Sequence, residues 1–242
     1  MKTIGFLNVI DSDLTGKYAE AISFWSKDLG LEDSPRLASL CGGFKRNSEL
    51  REGGRWDDIS AEAVKDAARI KKMGADFLLI GGTSMDKVAD KVEKYAKIPV
   101  LSIAAPLIEK LKSDDADSAL LIGAKALMED SFFSDKFKSG GIKLAVPDEA
   151  GRGDLEKIRL AAADGRHYAY ANFFEIALKY NMPYSIVACS KFDFILGSGK
   201  WLEQSRGRQH NSTSFISAVN HHTIAAVKMA AGIAKWRLAV HE

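Results

Sequence analysis

The sequence predicts an α/β protein of two pseudo-symmetric lobes, each a parallel sheet flanked by helices, and three observations predict it. Short apolar runs of strand length recur without strict polar alternation, longer stretches with helical spacing separate them, and the order of the runs repeats once along the chain. A run without alternation suits a strand covered on both faces, which is the habit of parallel sheets.

The runs fall in order at Thr3–Leu7, Leu37–Cys41, Asp76–Ile80, Ile98–Ile103, Ser118–Ile122, Ile142–Val146, Tyr184–Ala188 and Ser214–Ala218. The last four echo the first four at offsets of roughly 105 to 116 residues. Among the helical stretches, Ile59 to Met73 puts Ile59, Ala63, Val64, Ala67 and Ile70 on one stripe, with Lys65, Asp66, Arg69 and Lys72 opposite. Val88 to Tyr95 and Leu155 to Ala162 behave similarly. A final helix, Thr223 to Leu238, is apolar at Ile224, Val227, Met229, Ile233 and Trp236 and reads as a packing element. With a crossover near Ala104–Pro106 and a return near Val219, the first lobe comprises residues 1–103 and 219–242 and the second 104–218. The site is expected in a cleft between the lobes, at the carboxyl ends of their strands.

Composition narrows the function. A chain of 242 residues with 46% hydrophobic and 27% charged residues is an ordinary globular sequence, which excludes disorder. The net charge of +2 is too even for a basic nucleic-acid surface, so a small-molecule or protein partner is expected. Two cysteines, Cys41 and Cys189, build neither a disulfide framework nor a thiolate zinc site, and the five histidines fall in no metal motif. Gly42-Gly43 and Gly81-Gly82 lack the Lys-Ser/Thr of a phosphate loop. The N-terminus runs straight into a strand without a leader pattern, and no apolar stretch reaches the roughly eighteen residues of a membrane span, so a cytoplasmic protein is expected.

Two strand ends mirror each other. Gly81-Gly82-Thr83-Ser84 follows the third run and Cys189-Ser190-Lys191 the seventh, both at expected strand-to-helix junctions. Helix N-termini offer unpaired N–H groups and a positive dipole end, which suits a carboxylate or an enediolate. Thr83, Ser84 and Ser190 would add hydroxyl donors, and Cys189 is the thiol nearest either junction. A second reading fits as well: Thr83 or Ser84 caps a helix starting at Met85, and Cys189 is a small buried hydrophobe.

Here the chain resembles the cofactor-independent aspartate/glutamate racemase family. The longest similar stretch runs from Gly74 through Gly81-Gly82-Thr83-Ser84-Met85-Asp86-Lys87-Val88-Ala89-Asp90, followed by Ile98 to Ala104. A second is Val146-Pro147-Asp148-Glu149-Ala150 with the helix after it, ending in Gly165-Arg166. Weaker ones are Trp56-Asp57, Met128-Glu129, Phe132-Phe133 and His222. The resemblance implies two α/β lobes, a small carboxylate or amino-acid substrate, no cofactor, and a homodimer. It also implies two cysteines, one per lobe, that remove and return the Cα proton from opposite faces. Cys189-Ser190 matches the second-lobe motif, so Cys189 is the expected catalytic thiol. Gly82, Thr83, Ser84, Ser190, Arg166 and His222 are the expected substrate-binding residues.

The sequence departs from that pattern in ways that change the chemistry. Gly81 stands where the first-lobe cysteine belongs, and Cys41 lies at the end of the second strand, where it is expected to pack. The glycine-rich turn after the first strand reads Asn8-Val9-Ile10-Asp11, the second-lobe Gly-Thr reads Gly123-Ala124, and Lys191 follows Cys189-Ser190 where an acidic residue is usual. Asp86 replaces a histidine and is expected to support a helix N-terminus, and residues 197–211 add a polar loop. Three readings follow: a racemase or epimerase with one thiol, a one-thiol decarboxylase similar to the arylmalonate decarboxylases, or a non-catalytic binder of an acidic metabolite. The longer similar stretches favour the racemase class.

Overall fold

The computed structural model describes residues 1–163, 170–192, 208–210 and 213–234. Contacts divide these residues into two compact units, Met1–Ala105 with the described residues from His222 onward, and Pro106–His221. Each unit carries its own parallel sheet.

In the first unit, β1 (Ile4–Asn8) lies between β2 (Leu37–Cys41) and β3 (Phe77–Ile80), parallel to both. The expected fourth strand, Ile98–Ile103, shrinks to a single parallel bridge between Val100 and Leu78. Helices α1 (Asp13–Asp28), α2 (Phe44–Glu52), α3 (Trp56–Lys72) and α4 (Ala89–Ala96) connect these strands. On α3 the stripe Ile59, Ala63, Ala67 and Ile70 is buried, as its spacing predicts.

The second unit repeats the arrangement. β4 (Ser118–Ile122) lies between β5 (Lys143–Ala145) and β6 (Tyr184–Val187), and β8 (Thr213–Ser217) continues the sheet in parallel beside β6. The neighbours of β4 thus follow the same order as those of β1, which is the long-range repeat seen in the sequence. β7 (Arg208–His210) adds an antiparallel edge to β8, so the polar stretch expected to be a loop contains a strand. Its remainder, 197–207 and 211, lies outside the described residues, as does Arg166. Helices α5 (Ala104–Ser113), α6 (Lys125–Glu129), α7 (Ser131–Ser139), α8 (Glu149–Ala163) and α9 (Tyr170–Leu178) complete the described elements between Ala104 and β8. Phe173 gathers Phe192 and Phe215 at centroid distances of 5.3 and 6.2 Å, an aromatic centre for this core.

The last helix, α10 (Ala218–Ala230), begins earlier and ends sooner than its apolar pattern predicts. Gly232, at φ 73°, turns the chain so that Gly232 and Ile233 donate back to the carbonyls of Met229 and Lys228. Ile233 therefore lies beyond the helix and is exposed, not packed. Among the described residues no helix is long and apolar enough to cross a membrane, and no three His, Cys, Asp or Glu side chains cluster as metal ligands.

His222 is fully buried in the first unit. Its Nε2 lies 2.9 Å from the Leu101 carbonyl, which can only accept, so Nε2 carries the proton and Nδ1 accepts from the Tyr18 hydroxyl at 2.8 Å. Burial pushes the imidazole down to about 4, against the smaller opposing effects of the Leu101 carbonyl and the Asp86 charge. Because the folded-state value lies below the ordinary 6.5, the unfolded chain binds this proton first. The contribution to folding stability is whole above pH 6.5 and drains away as pH falls toward about 4, by about 3 kcal/mol in all. Urea unfolding across that range should show this loss, and His222→Gln should flatten it; an unchanged pH slope in the variant would assign the acid sensitivity elsewhere.

Candidate active site

The first junction is built by close packing on two glycines. The β1–α1 turn is held by Asn8, fully buried, whose amide donates to the Asp11 carbonyl at 2.7 Å and to the Thr15 hydroxyl at 2.9 Å. The Asp11 carboxylate accepts from the N–H groups of Asp13 and Leu14 at 3.1 and 3.0 Å, which caps α1. This turn brings Ile10 and Leu14 against the end of β3. A Cβ at Gly81 would stand 2.9 Å from both Leu14 Cδ2 and Phe6 Cζ, and one at Gly82 would stand 2.5 Å from Ile10 Cγ1. The direction a side chain at 81 would take is therefore already filled by apolar atoms of the core. Phe6 itself is stacked on Tyr18 at 4.3 Å, so it cannot swing aside cheaply.

Gly82, at φ 88°, leads into a 3-10 helix, Thr83–Val88, in place of the α-helix expected from Met85. Neither Thr83 nor Ser84 makes a side-chain cap there: the capping position is Gly82, which has no side chain to accept a bond. Thr83 is buried and Ser84 half-buried. Asp86 is buried too, and its carboxylate accepts from the Ser102 hydroxyl at 2.7 Å and the Ile103 N–H at 3.0 Å. It supports the residues leading into α5, a helix other than the one that its sequence position suggested. His222, expected at the substrate, has both ring nitrogens engaged inside its own unit, so the geometry gives it a packing role.

The second junction keeps its polar residues half-exposed. β6 ends at Val187, Ala188 is buried, and Cys189 and Ser190 are half-buried. The Phe192 N–H donates to the Cys189 carbonyl at 2.9 Å, so the chain turns as it leaves the strand; the helix expected after this junction lies outside the described residues. Gly123, at the end of neighbouring β4, lets the Leu127 side chain lie close: a Cβ at 123 would be 2.9 Å from Leu127 Cδ2, and at ordinary contact distance, 3.5 Å, from the Ala188 carbonyl oxygen. Sequence reasoning did not single out Arg159 and Glu156 of α8. Arg159 Nε and Nη2 both donate to the Glu156 carboxylate, at 2.9 and 2.5 Å, and Glu156 Oε2 also accepts the Lys125 N–H at 3.0 Å. Arg159 is held above its ordinary range, first by the Glu156 hydrogen bond, against burial, and also by the charges of Glu156 and Cys189. The same pair holds Glu156 below the usual carboxylate range. The spacing of the two residues, i and i+3 on α8, could have flagged the ion pair.

Cys41, expected to pack, is exposed. It ends edge strand β2, where Gly42 and Gly43, at φ 147° and 67°, turn the chain away, and it lines a cavity of about 290 Å³ with Gly43, Asn47, Ile59 and Glu62. Asn8 Nδ2 lies 3.7 Å from its sulfur.

The Asp/Glu/hydantoin racemase family model matches residues 17–180, more than half of the chain. The chain belongs to this family. Solved structures agree on the fold. A proposed Asp/Glu racemase from Yersinia pestis superposes with a TM-score of 0.83 at 20% identity, over 96% of this chain and all of that one. An aspartate racemase homologue from Pyrococcus horikoshii OT3 gives 0.82 at 19% identity, over 96% of this chain and 100% of the other. Arylmalonate decarboxylase is similar at 0.56 and 17% identity, over 97% of this chain and 95% of that protein. The family racemase fold thus accounts for the repeated sheets, and its reach to a decarboxylase shows that one scaffold accommodates more than one reaction name.

The filled space beside Gly81 has a measurable cost. Gly81→Ala should destabilise the protein by about 1–3 kcal/mol through overpacking. In a Leu14→Ala background the added cost should fall, because the methyl then meets the space that Leu14 Cδ2 vacates. Equal costs in the two backgrounds, measured by urea unfolding, would show that the strain has another origin.

Proposed function

We propose that the protein is a racemase-family enzyme that transfers a proton at the Cα of an acidic amino acid or a related small carboxylate, without a cofactor, using Cys189 as its single thiol acid/base. Membership of the Asp/Glu/hydantoin racemase family supports the class. The observation that carries the one-thiol form is the packing at Gly81, where Phe6 and Leu14 occupy the direction from which a second thiol would act.

The chemistry needs little else. The Cys189 thiolate takes the Cα proton, the C–H electron pair moves into the carboxylate as an enediolate, and the resulting thiol returns a proton to Cα. A thiol, with an ordinary pKa of about 8.5, is suited to both directions when a cationic neighbour favours its thiolate. The enediolate carries its charge on oxygen and is stabilised by donors aimed at those oxygens. Ser190 beside the thiol, Gly82, Thr83 and Ser84 in the first unit, and Arg166 are the residues we assign to substrate binding. With protonation from the Cys189 side alone, the enzyme exchanges the Cα hydrogen with retention faster than it inverts the centre. A second reading, decarboxylation of a substituted malonate followed by protonation from the same thiol, draws on the likeness in fold to arylmalonate decarboxylase.

Incubation with the L- and D-forms of aspartate and glutamate, and with substituted malonates, in deuterium oxide separates these reactions by chiral chromatography and mass. Deuterium should enter Cα with predominant retention, and Cys189→Ala should abolish its entry. Inversion as fast as exchange would overturn the one-sided form while keeping the class. Carbon dioxide from malonates, without exchange of the amino acids, would select the decarboxylase. Silence in every assay would overturn the catalytic reading.

A further inference from the structure

We propose that the cavity at the end of β2 is a modification site, where Cys41 exchanges with the disulfide of a small α-amino-acid thiol held there by its ammonium and carboxylate groups. The proposal does not depend on the reaction assigned to Cys189.

The cavity, of about 290 Å³, is lined by residues of β2, α2 and α3. Cys41 is exposed, so a reagent can reach its sulfur. Cys41 and Asn8 are register partners on parallel strands, and Asn8 Nδ2 meets the sulfur at 3.7 Å.

Two further observations distinguish this place from that of a merely exposed cysteine. The first is Asn47 of α2, which is only 5% exposed and lines the cavity. Arg51 Nε, which can only donate, bonds its Oδ1 at 3.1 Å, so the atom left without a partner among the described residues is the donor Nδ2. A buried donor without an acceptor is costly, and a carboxylate in the cavity would supply one. Arg69, also in the lining, adds a positive charge. The second observation is on α3, where Glu62 and Asp66 stand one turn apart on the face that lines the cavity. Arg46 meets Glu62 at Oε1, with Nε at 2.8 Å and Nη2 at 2.7 Å, and Arg69 meets Asp66 at Oδ1, at 2.8 Å. Glu62 Oε2 and Asp66 Oδ2 are left to accept, which suits an ammonium group. A donor for a carboxylate, acceptors for an ammonium and a thiol thus share one cavity.

The exchange balances without any other reactant. The Cys41 thiolate attacks one sulfur of the disulfide, a new S–S bond forms as the old one breaks, and the other half leaves as a thiolate that takes up the proton Cys41 released. The Cys41 sulfur is oxidised and the departing sulfur reduced.

Incubating the whole protein with cystine, cystamine or dithiodiglycolate, and following the mixed disulfide at Cys41 by peptide-resolved mass spectrometry, tests this with Cys189 read separately. Each rate is divided by that of the same reagent on the urea-unfolded chain, so that differences in reagent reactivity cancel. By this ratio cystine should exceed both cystamine, which lacks the carboxylate, and dithiodiglycolate, which lacks the ammonium, by about ten-fold. Glu62→Gln combined with Asp66→Asn should lower the ratios of cystine and cystamine and spare that of dithiodiglycolate. Asn47→Asp, which keeps the acceptor for Arg51 and removes the amide donor, should lower those of cystine and dithiodiglycolate and spare that of cystamine. A cystine ratio no higher than that of the other two reagents would overturn the proposal and leave Cys41 a merely exposed thiol. Unchanged ratios in the α3 double variant would overturn it equally, whether or not Asn47→Asp folds.

Discussion

The close approach of the β1–α1 turn to Gly81 and Gly82 is the constraint from which the chemistry of the first unit follows. Two adjacent residues without side chains let Phe6, Ile10 and Leu14 reach the end of β3 at distances no Cβ would permit. The turn can deliver those side chains only because Asn8 and Asp11 satisfy its backbone, one by bonding across it and the other by capping α1. Apolar packing then occupies the directions that side chains at 81 and 82 would take. In the second unit the matching position is Ala188, whose N–H meets the Ile122 carbonyl as that of Gly81 meets Leu7, and the half-exposed thiol of Cys189 follows one residue later.

The two junctions differ in what surrounds them. In the first unit, the polar residues near the strand end are absorbed into the interior: Asp86 holds Ser102 and Ile103, and His222 joins Tyr18 to the Leu101 carbonyl. Buried polar groups with all partners supplied specify one arrangement of the chain. In the second unit, the ionic pair Arg159–Glu156 stays partly hydrated. The first network is closed inside the core, whereas the ion pair of the second unit keeps part of its surface in water.

Much of the architecture was legible from periodicity. The eight apolar runs are found as seven strands and one bridge, and the α3 stripe is buried along its length apart from half-buried Val64. The errors have local causes. Ile98–Ile103 is apolar enough for a strand, yet only Val100 pairs, because Asp86 draws Ser102 and Ile103 away toward α5. The final apolar helix stops at Ala230 because Gly232 adopts a left-handed conformation that reverses the chain. β7 escaped notice because Arg208, Gln209 and His210 carry no strand-like pattern and pair only through β8.

Order along the chain was enough to establish the α/β class, the duplicated sheet and the family, because burial periodicity and motif spacing are properties of the chain itself. It also marked Gly81 as lacking a thiol and Cys189 as having one. Only the tertiary structure could tell that Leu14, which lies 67 residues before Gly81, fills the space at position 81, that His222 is enclosed, and that Cys41 is exposed. Each of these depends on which side chains meet across elements distant in sequence, and no pattern within one element encodes that.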